Sequence, residues 1–367
     1  MIRKSLIACL LTLLAWPLFS QEQDQVPDRK WTYVDASTLT FVGKLFPDTP
    51  NPYHRVDTQV YGGFTESELR QVHQSSGVGI AFRTDSEGIA VLPEYGQIYG
   101  GGNTAPNAKQ GFDLYIKKDG KWKWAGAYSG GKSGAARPLL RFNDTGRMYD
   151  CIIYLPIFAE LTSLKIGVYD DSRIEPLEKP FRHRIGVFGS SYTQGYGVSR
   201  PSMGWTSQLS RMTGMDFLCL GCSGNSRLQS YFAKALADAD VDAFVFDGFS
   251  NPTPEMIQAN LFEFISIIQA KHPGKPLIFL KTIHRAWCDF NSETARKEVE
   301  KMRMADVMMR KAVKKFKDVY YVTTTSATDD RTDTTTDGTH PGDYGYFLWA
   351  ESVKDPILEI LAKYDIR

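Results

Sequence analysis

Apolar and polar residues alternate in two different ways along the chain, and the change falls near residue 181. In the first part, short segments carry an apolar side chain at every second position, the period of a strand with one buried face. Turn sequences rich in glycine and aspartate separate these segments. Strands at such intervals predict an all-β sandwich or jelly-roll domain over residues 31–180, with a short helix near 65–74. The clearest segments span residues 78–83, 112–116, 148–155 and 164–169.

After residue 181, apolar runs of strand length alternate with longer segments of helical period. This order predicts repeated βα units, and therefore a parallel sheet with helices on both faces. We expect a three-layer α/β/α domain of flavodoxin-like type over residues 181–367, preceded by a linker at 170–180. The predicted strands span residues 184–189, 216–220, 242–247, 276–282 and 318–323, and the predicted helices lie near 203–213, 226–237, 254–271, 293–316 and 343–364.

The first twenty residues have the pattern of a secretory signal peptide. A basic start at Arg3 and Lys4 precedes an apolar run, and Ser20 offers a small residue for cleavage. The apolar run is shorter than the roughly 20 residues that a membrane span needs, so we expect no stable membrane insertion. Cys9 precedes most of the apolar run, which argues against a lipoprotein. We expect a secreted or periplasmic protein with a flexible lead-in at residues 21–30.

Charge and composition exclude several other classes of protein. The chain has 43 basic and 42 acidic residues, so we expect no nucleic-acid partner. Nucleotide-binding glycine motifs do not occur, and we expect no cofactor. Residues 333–344 begin like a calcium loop, but Tyr344 stands where a bidentate glutamate is needed, and we expect no metal. Of the four cysteines that remain after cleavage, Cys151, Cys219, Cys222 and Cys288, the pair Cys219 and Cys222 forms a CxxC sequence; with no second CxxC and no paired histidine, we interpret this pair as small buried residues in preference to a redox or zinc site.

Candidate chemistry lies at the ends of the predicted parallel strands, where the loops of such sheets meet. Ser191 follows Gly189 at the end of the first strand, in a turn that can expose a nucleophile and present its own N–H. Glycines after the second strand let the backbone approach a ligand. After the third strand, Asn251 can donate from its amide to a developing negative charge. Each of these three sequences, taken singly, is also an ordinary turn.

One histidine near the end of the chain has a carboxylate at a useful distance. Asp337 and His340 lie three residues apart, so the carboxylate can hold the imidazole within one turn while the other ring nitrogen faces a serine. Pro341 is suited to start the last helix, which leaves His340 in the loop before it. This spacing predicts an oriented general base.

In combination, these motifs resemble the SGNH (GDSL-type) hydrolase family. Residues 189–195 resemble its first block, with Ser190 where an aspartate is usual, and residues 111–115 resemble the GxDLY motif of an N-terminal β-domain fused to one branch of these esterases. The resemblance implies that Ser191 is the nucleophile, that Asp337 orients His340, and that an oxyanion hole is formed by the N–H groups of Ser191 and Gly224 and by the Asn251 amide. The third block departs from the family's usual Gly-x-Asn-Asp form.

The combined pattern predicts a serine esterase acting on short acyl esters. The family resemblance implies a carbohydrate acetylesterase, whose partner is an acylated carbohydrate or another small ester. A lysophospholipase, a thioesterase, and an inactive sugar-binding protein on the same fold are the alternatives. Tyr192 and Trp205 are predicted to contact the substrate, with packing within the helical layer as an equal alternative for Trp205. A set of aromatic residues in the β-domain fits either its core or a sugar-binding surface: Tyr95, Tyr99, Trp122 and Trp124.

Overall fold

Antiparallel strands build the N-terminal part of the chain in the computed structural model, which describes residues 29–128, 131–141, 147–323 and 332–367. The predicted signal peptide and most of the predicted lead-in lie outside these residues. Strands and helices of this part are β1 Trp31–Asp35, β2 Thr40–Val42, α1 Glu66–Val72, β3 Gly79–Thr84, β4 Gly88–Ile98, α2 Pro106–Gln110, β5 Phe112–Lys118, β6 Lys121–Tyr128, β7 Arg137–Arg141, β8 Tyr149–Tyr154, β9 Ala159–Tyr169 and β10 Ile174–Pro176.

These strands form two sheets that share one core. One sheet has the order β1-β9-β4-β7, and the other has the order β10-β3-β8-β5-β6, with β2 also paired to β3. Alternate side chains of each sheet are buried between them, such as Ile89 and Ile166 from the first sheet and Phe82, Leu114 and Ile153 from the second. The predicted β-sandwich is confirmed, and its core consists of the apolar positions of the period-two segments.

The parallel sheet follows, with helices on both faces. Its strand order is β12-β11-β13-β14-β15, and every strand pair is parallel. The predicted α/β/α fold is therefore confirmed. Its elements are β11 Arg182–Gly189, α3 Ser191–Gln194, α4 Trp205–Thr213, β12 Met215–Gly221, α5 Ser230–Ala237, β13 Ala243–Asp247, α6 Pro254–Lys271, β14 Leu277–Leu280, α7 Ser292–Lys315, β15 Val319–Val322 and α8 Asp343–Leu361.

The two faces of the central strand bury different helices. Ile185 and Val187 of β11 pack into one core together with α4 and α8, whereas Phe188 packs into a second core with α5, α6 and α7. A strand that is buried on both faces has a continuous apolar sequence, as β11 and β12 do. This burial holds the carboxyl end of β11, and the serines that follow it, in a fixed position.

The GxDLY-like segment joins the β-sandwich to the α/β part. Asp113 is fully buried, and its carboxylate accepts hydrogen bonds from Arg200 Nη1 at 2.6 Å and from the Ser202 N–H at 3.2 Å. Trp124 Nε1 donates to its second oxygen at 2.9 Å. A buried carboxylate is costly unless it is paired, so loss of Arg200 would leave an uncompensated charge at this contact. Trp124 is 54% exposed.

A long loop of the N-terminal part also packs on the parallel sheet. The Gly43 N–H donates to Asp216 of β12 at 2.8 Å, and the Cys219 N–H donates back to the Gly43 carbonyl at 2.9 Å. Leu45 and Val56 lie in the same core as α5 and α6. The predicted linker at 170–180 is partly wrong, because β10 within it pairs with β3. The domain boundary at residue 181 stays a prediction.

Cys219 and Cys222 are fully buried, as predicted, and Cys151 is also fully buried, whereas Cys288 is half-buried; all four carry free thiols. Among the described residues, no helix combines the length and the apolar character needed to cross a membrane.

Candidate active site

Three neighbouring strands end at the same level of the parallel sheet. In the register of the sheet, Gly189 at the end of β11 pairs with Gly221 of β12 on one side and with Asp247 of β13 on the other. The loops that follow carry Ser191, Gly224 and Asn251. The Ser226 N–H donates to Asn251 Oδ1 at 3.3 Å and so joins the second loop to the third. The structure thus brings these predicted residues to one edge.

Two of these strands end in a glycine, Gly189 and Gly221, because a larger residue at either position would collide with α3. A Cβ on Gly189 would lie 2.1 Å from Thr193 Oγ1, and a Cβ on Gly221 would lie 2.1 Å from the Thr193–Gln194 peptide nitrogen, N of Gln194. The short helix α3 therefore turns directly over the ends of β11 and β12, which only glycine permits. This close crossing presents Ser191 at the first position of α3.

The two consecutive serines have different partners. Ser190 is fully buried, and its hydroxyl and N–H both donate to Asp247 Oδ2, at 2.6 and 3.0 Å. Ser191 is 9% exposed, and its Oγ lies 2.9 Å from His340 Nε2. Ser190 occupies the position at which the family usually has an aspartate. In this chain, Asp247 of β13 supplies a carboxylate next to this position, and Ser190 donates to it.

His340 is held between the serine and a carboxylate. Its Nδ1 lies 2.8 Å from Asp337 Oδ2, while Asp337 Oδ1 accepts the backbone N–H groups of Thr339 at 3.0 Å and His340 at 2.7 Å. With Nδ1–H donating to the carboxylate, Nε2 has a lone pair available for the Ser191 proton. The three side chains thus form one continuous hydrogen-bonded chain.

The environment adjusts both ionisable groups of this chain. Burial raises the pKa of Asp337, but hydrogen bonds from the backbone and ring of His340 and from Thr339 outweigh it, and the net pKa lies below the ordinary value. Burial lowers the pKa of His340, and the Arg285 cation adds to this effect, while Asp337 opposes it. The carboxylate is therefore ionised and the imidazole neutral at neutral pH, as a general base requires.

Three N–H donors lie at the same edge, on the residues predicted to form the oxyanion hole. In the described part of the chain, the Ser191 N–H, the Gly224 N–H and Asn251 Nδ2 have no hydrogen-bond acceptor. Because Asn251 Oδ1 accepts from Ser226, its amide is oriented with Nδ2 free to donate. Gly224 has a φ of +72°, a conformation that favours glycine. Such donors can stabilise a negatively charged oxygen.

The predicted substrate contacts of Tyr192 and Trp205 do not agree with their burial. Trp205 is completely buried and packs on Trp349, with ring centroids 5.0 Å apart, so it is a core residue. Tyr192 is 1% exposed, and its hydroxyl donates to the Thr339 carbonyl at 3.0 Å. Burial raises its pKa to about 12, so the hydroxyl stays a donor. Through this hydrogen bond, the buried Tyr192 stabilises the loop that carries His340.

Several residues at the site were not predicted from the sequence. Arg285 Nη2 and Lys301 Nζ both donate to the carbonyl of Ser250, at 2.8 and 3.1 Å, and so hold the residue before Asn251. Trp287 Nε1 donates to the Asp337 carbonyl at 2.6 Å, while its ring remains 53% exposed. Arg285, Trp287 and Lys301 lie in a loop and a helix whose sequences have no motif, so the tertiary structure alone identifies them.

A group of possible metal ligands lies away from the serine. His54, His73 and Glu160 have ligand atoms within 4.8 Å of one another. The two rings are stacked, with centroids 4.0 Å and planes 12° apart. A metal lies close to the plane of each imidazole that binds it, and two stacked planes offer no common point. His54 Nε2 lies 2.8 Å from Glu160 Oε1 instead, and we assign this group no metal.

Two family models match the sequence. The model described as GDSL-like lipase/acylhydrolase family matches residues 182–359. The model described as the N-terminus of Esterase_SGNH_hydro-type, or GxDLY, matches residues 30–174. Among the curated proteins, none matches the sequence significantly.

Solved structures resemble the whole arrangement. One, described as a GDSL-like lipase from Bacteroides ovatus ATCC 8483, is 34% identical, with a TM-score of 0.87 over 91% of this chain and 98% of that one. The salicylyl-acyltransferase SsfX3 from a tetracycline biosynthetic pathway is 21% identical, with a TM-score of 0.70 over 90% and 97%. A family two carbohydrate esterase from Cellvibrio japonicus is 10% identical, with a TM-score of 0.61 over 91% and 98%.

Proposed function

Because the chain belongs to the GDSL-like lipase/acylhydrolase family, we propose that it is a serine esterase that hydrolyses short acyl esters, most of all acetyl esters of carbohydrates. The observation that carries this proposal is the continuous hydrogen-bonded chain from Asp337 through His340 to Ser191. The three N–H donors beside Ser191 supply the second requirement of acyl transfer, a site for the developing oxyanion.

In the proposed mechanism, His340 Nε2 takes the proton of Ser191 as Oγ attacks the ester carbonyl carbon. The N–H groups of Ser191 and Gly224 and the Asn251 amide stabilise the resulting oxyanion. His340 then gives its proton to the departing alcohol, and the acyl group remains on Ser191. Water, deprotonated by the same imidazole, attacks this acyl-enzyme, and the acid leaves as Ser191 regains its proton. Asp337 stays ionised throughout and stabilises the imidazolium.

A cavity next to α3, the helix that begins at Ser191, supports a small polar substrate. It has a volume of about 190 Å³ and combines side chains of both parts of the chain, from Gln71 and Tyr99 to Gln194 and Ser223. Seven of its eleven lining residues carry an amide or hydroxyl group that can hydrogen-bond a hydroxyl-rich substrate, and its small volume does not suit a long acyl chain: Ser67, Arg70, Gln71, Gln74, Tyr99, Phe158, Gln194, Tyr196 and Ser223, with Gly100 and Gly101. The exposed indole of Trp287, fixed beside the Asp337 backbone, offers a flat apolar face of the kind on which a sugar ring stacks.

Carbohydrate as the substrate class draws further support from the Cellvibrio japonicus protein, whose name describes a carbohydrate esterase. Its 10% identity relates the two proteins by fold alone, so the acetylated sugar is proposed on the lining of the cavity as well. The lysophospholipase and thioesterase alternatives require space for a long or thiol-linked acyl group.

Hydrolysis of 4-nitrophenyl acetate by the wild type and by Ser191→Ala tests the proposal. We expect a readily measured rate for the wild type and loss of nearly all of it in Ser191→Ala, with Ser172→Ala, a distant serine, as the matched control. An inert wild type, or full activity of Ser191→Ala, would contradict the esterase proposal and favour a binding protein on the same fold. Asn251→Ala should raise the barrier by about 3 kcal/mol and so retain a small activity.

A second experiment addresses the substrate. Rates on 4-nitrophenyl esters of two to twelve carbons should fall steeply with acyl length, and acetylated oligosaccharides should release acetate. A maximum at long acyl chains would favour the lipid alternative. Trp287→Ala should raise KM for the acetylated oligosaccharide more than KM for 4-nitrophenyl acetate, while the lost hydrogen bond to the Asp337 carbonyl should lower kcat for both substrates alike.

A further inference from the structure

Asp337 receives a hydrogen bond from the N-terminal part of the chain. Asn103 lies in the loop between β4 and α2, and its Nδ2 donates to Asp337 Oδ2 at 2.6 Å. The same oxygen accepts from His340 Nδ1. The other donors to this carboxylate, the backbone N–H groups of Thr339 and His340, belong to its own loop and move with it. Asn103 ties the carboxylate to a separate element.

The orientation of the Asn103 amide is determined by a second contact. Tyr196 Oη donates to Asn103 Oδ1 at 2.8 Å, so the amide must present Nδ2 to Asp337. The Tyr196 ring also packs against the His340 ring, with centroids 4.5 Å apart. Asn103 and Tyr196 thus enclose the Asp337–His340 pair from the side of the β-sandwich.

Glycines permit this close approach. A Cβ on Gly101 would lie 2.2 Å from Tyr196 Oη, and a Cβ on Gly197 would lie 2.5 Å from the Pro341 carbonyl oxygen. The glycine run before Asn103, at residues 100–102, is one of the glycine-rich sequences that predict turns between the strands of the β-domain. In the structure it also lets the loop reach the hydroxyl of Tyr196.

We propose that Asn103 is a positioning residue that holds Asp337, and through it His340, in the orientation that catalysis requires. The inference rests on the proposed esterase function. Two charged groups face His340, the Asp337 carboxylate and the Arg285 guanidinium. Asn103 is neutral, so it orients the carboxylate without adding a third charge. A hydrogen bond to the carboxylate draws electron density from it, and loss of this donor therefore makes the carboxylate stabilise the imidazolium more strongly.

The test compares Asn103→Ala, Asn103→Asp and Tyr196→Phe with the wild type on 4-nitrophenyl acetate across pH. We expect kcat to fall about tenfold in Asn103→Ala with KM nearly unchanged, because Asn103 does not line the proposed substrate cavity, and to fall less in Tyr196→Phe, which keeps the ring that lines it. In Asn103→Asp, the added carboxylate should move the acid limb of kcat/KM upward by about one pH unit. Asn107→Ala, in the adjacent helix α2, is the control that keeps wild-type kinetics.

Titration of the His340 ring by NMR gives a readout that does not require turnover, with His340→Gln to assign the signal. The ring pKa should rise in Asn103→Ala and rise further in Asn103→Asp. Asn103 is exposed, and thermal unfolding should confirm that its variants fold.

An active wild type whose Asn103 variants keep its kcat and its His340 titration would overturn the inference and leave the esterase proposal intact. A rise in KM with unchanged kcat would also overturn it, because it would make Asn103 a substrate contact. An inert wild type contradicts the esterase proposal, and the NMR titration then decides the positioning role separately.

Discussion

Two loops of the parallel sheet carry a carboxylate to the site, and they are built in opposite ways. Asp247, at the end of β13, is 1% exposed and accepts hydrogen bonds from the neutral groups of Ser190, Thr193 and Ser250, while burial raises its pKa. The Asp337 side chain is 24% exposed, and its hydrogen bonds lower its pKa below the ordinary value. The Asp247 carboxylate therefore joins three segments of the fold, whereas the Asp337 carboxylate orients His340 and affects its pKa.

The two carboxylates therefore meet two different requirements of the site, a fixed position for Ser191 and a suitable basicity for His340. The position of Ser191 follows from a buried network that cannot shift without leaving polar groups unpaired. The basicity of His340 follows from a half-exposed loop, 336–341, whose position depends on contacts from other segments. We expect damage to the first network to appear mainly as lost stability, and damage to the second mainly as lost activity.

The largest expected effect is on activity, from Asp337→Asn. An amide cannot stabilise the imidazolium and favours the wrong tautomer of His340, so kcat/KM should fall by about 10⁴-fold. Thermal unfolding should change little, because the side chain is partly solvated. A comparable loss of stability would show that Asp337 is as structural as Asp247 and would remove the contrast.

Asp247→Ala tests the other loop. The variant leaves the Ser190 N–H and the hydroxyls of Ser190 and Ser250 without their acceptor in the core, and we expect about 3 kcal/mol less free energy of unfolding. Urea denaturation measures this loss. Asp247→Asn keeps one acceptor oxygen and should lose less. A variant Asp247→Ala with wild-type stability would mean that water replaces the carboxylate.

Gly197→Ala tests whether the 336–341 loop depends on close packing. Gly197 has a φ of +94°, and the added Cβ would meet both Pro341 and His340. Displacing His340 by about 1 Å should lower kcat about 100-fold. Gly274→Ala is the matched control, since Gly274 has a φ of +77° with no atom within 4 Å of a Cβ. Equal activity losses in the two variants would assign the effect to backbone strain.

The smallest expected effect is on the pH profile of the wild type. His340 must be neutral to accept the Ser191 proton, so kcat/KM should fall as the pH drops through its pKa. Burial and Arg285 lower this pKa, and the midpoint of the acid limb should therefore lie below about 6.5. A midpoint above that value would indicate that Asp337 dominates over burial. A stopped-time assay on 4-nitrophenyl acetate, corrected for spontaneous hydrolysis, measures it.

Most of the fold could be predicted because each periodicity reports burial directly. Strand β11 and helix α6 lie almost where their apolar patterns placed them, since both bury the faces that the patterns mark. The short strand β10 was not predicted. It is an edge strand that pairs only with β3, and its sequence, which ends in Pro176, has the composition of a linker.

The candidate site was predicted unevenly. Ser191, Asp337 and His340 were placed together correctly as a hydrogen-bonded group, and their catalytic roles stay predictions. Trp205 was predicted to contact the substrate because it follows the serine along the chain, with helix packing as the alternative, and it lies in the core. Closeness along the chain fails as a guide here because α4 turns its tryptophan inward, toward α8.

The sequence by itself determined which groups can perform the chemistry: a serine after a glycine at a strand end, and a carboxylate within one turn of a histidine. These are local properties, set by neighbouring residues and by the backbone conformations that glycine permits. Only the tertiary structure decided that Ser190 belongs to Asp247 while Ser191 faces His340, and that Asn103 reaches Asp337 across 234 positions of the chain. Such contacts depend on how separate elements pack, and no local pattern records them.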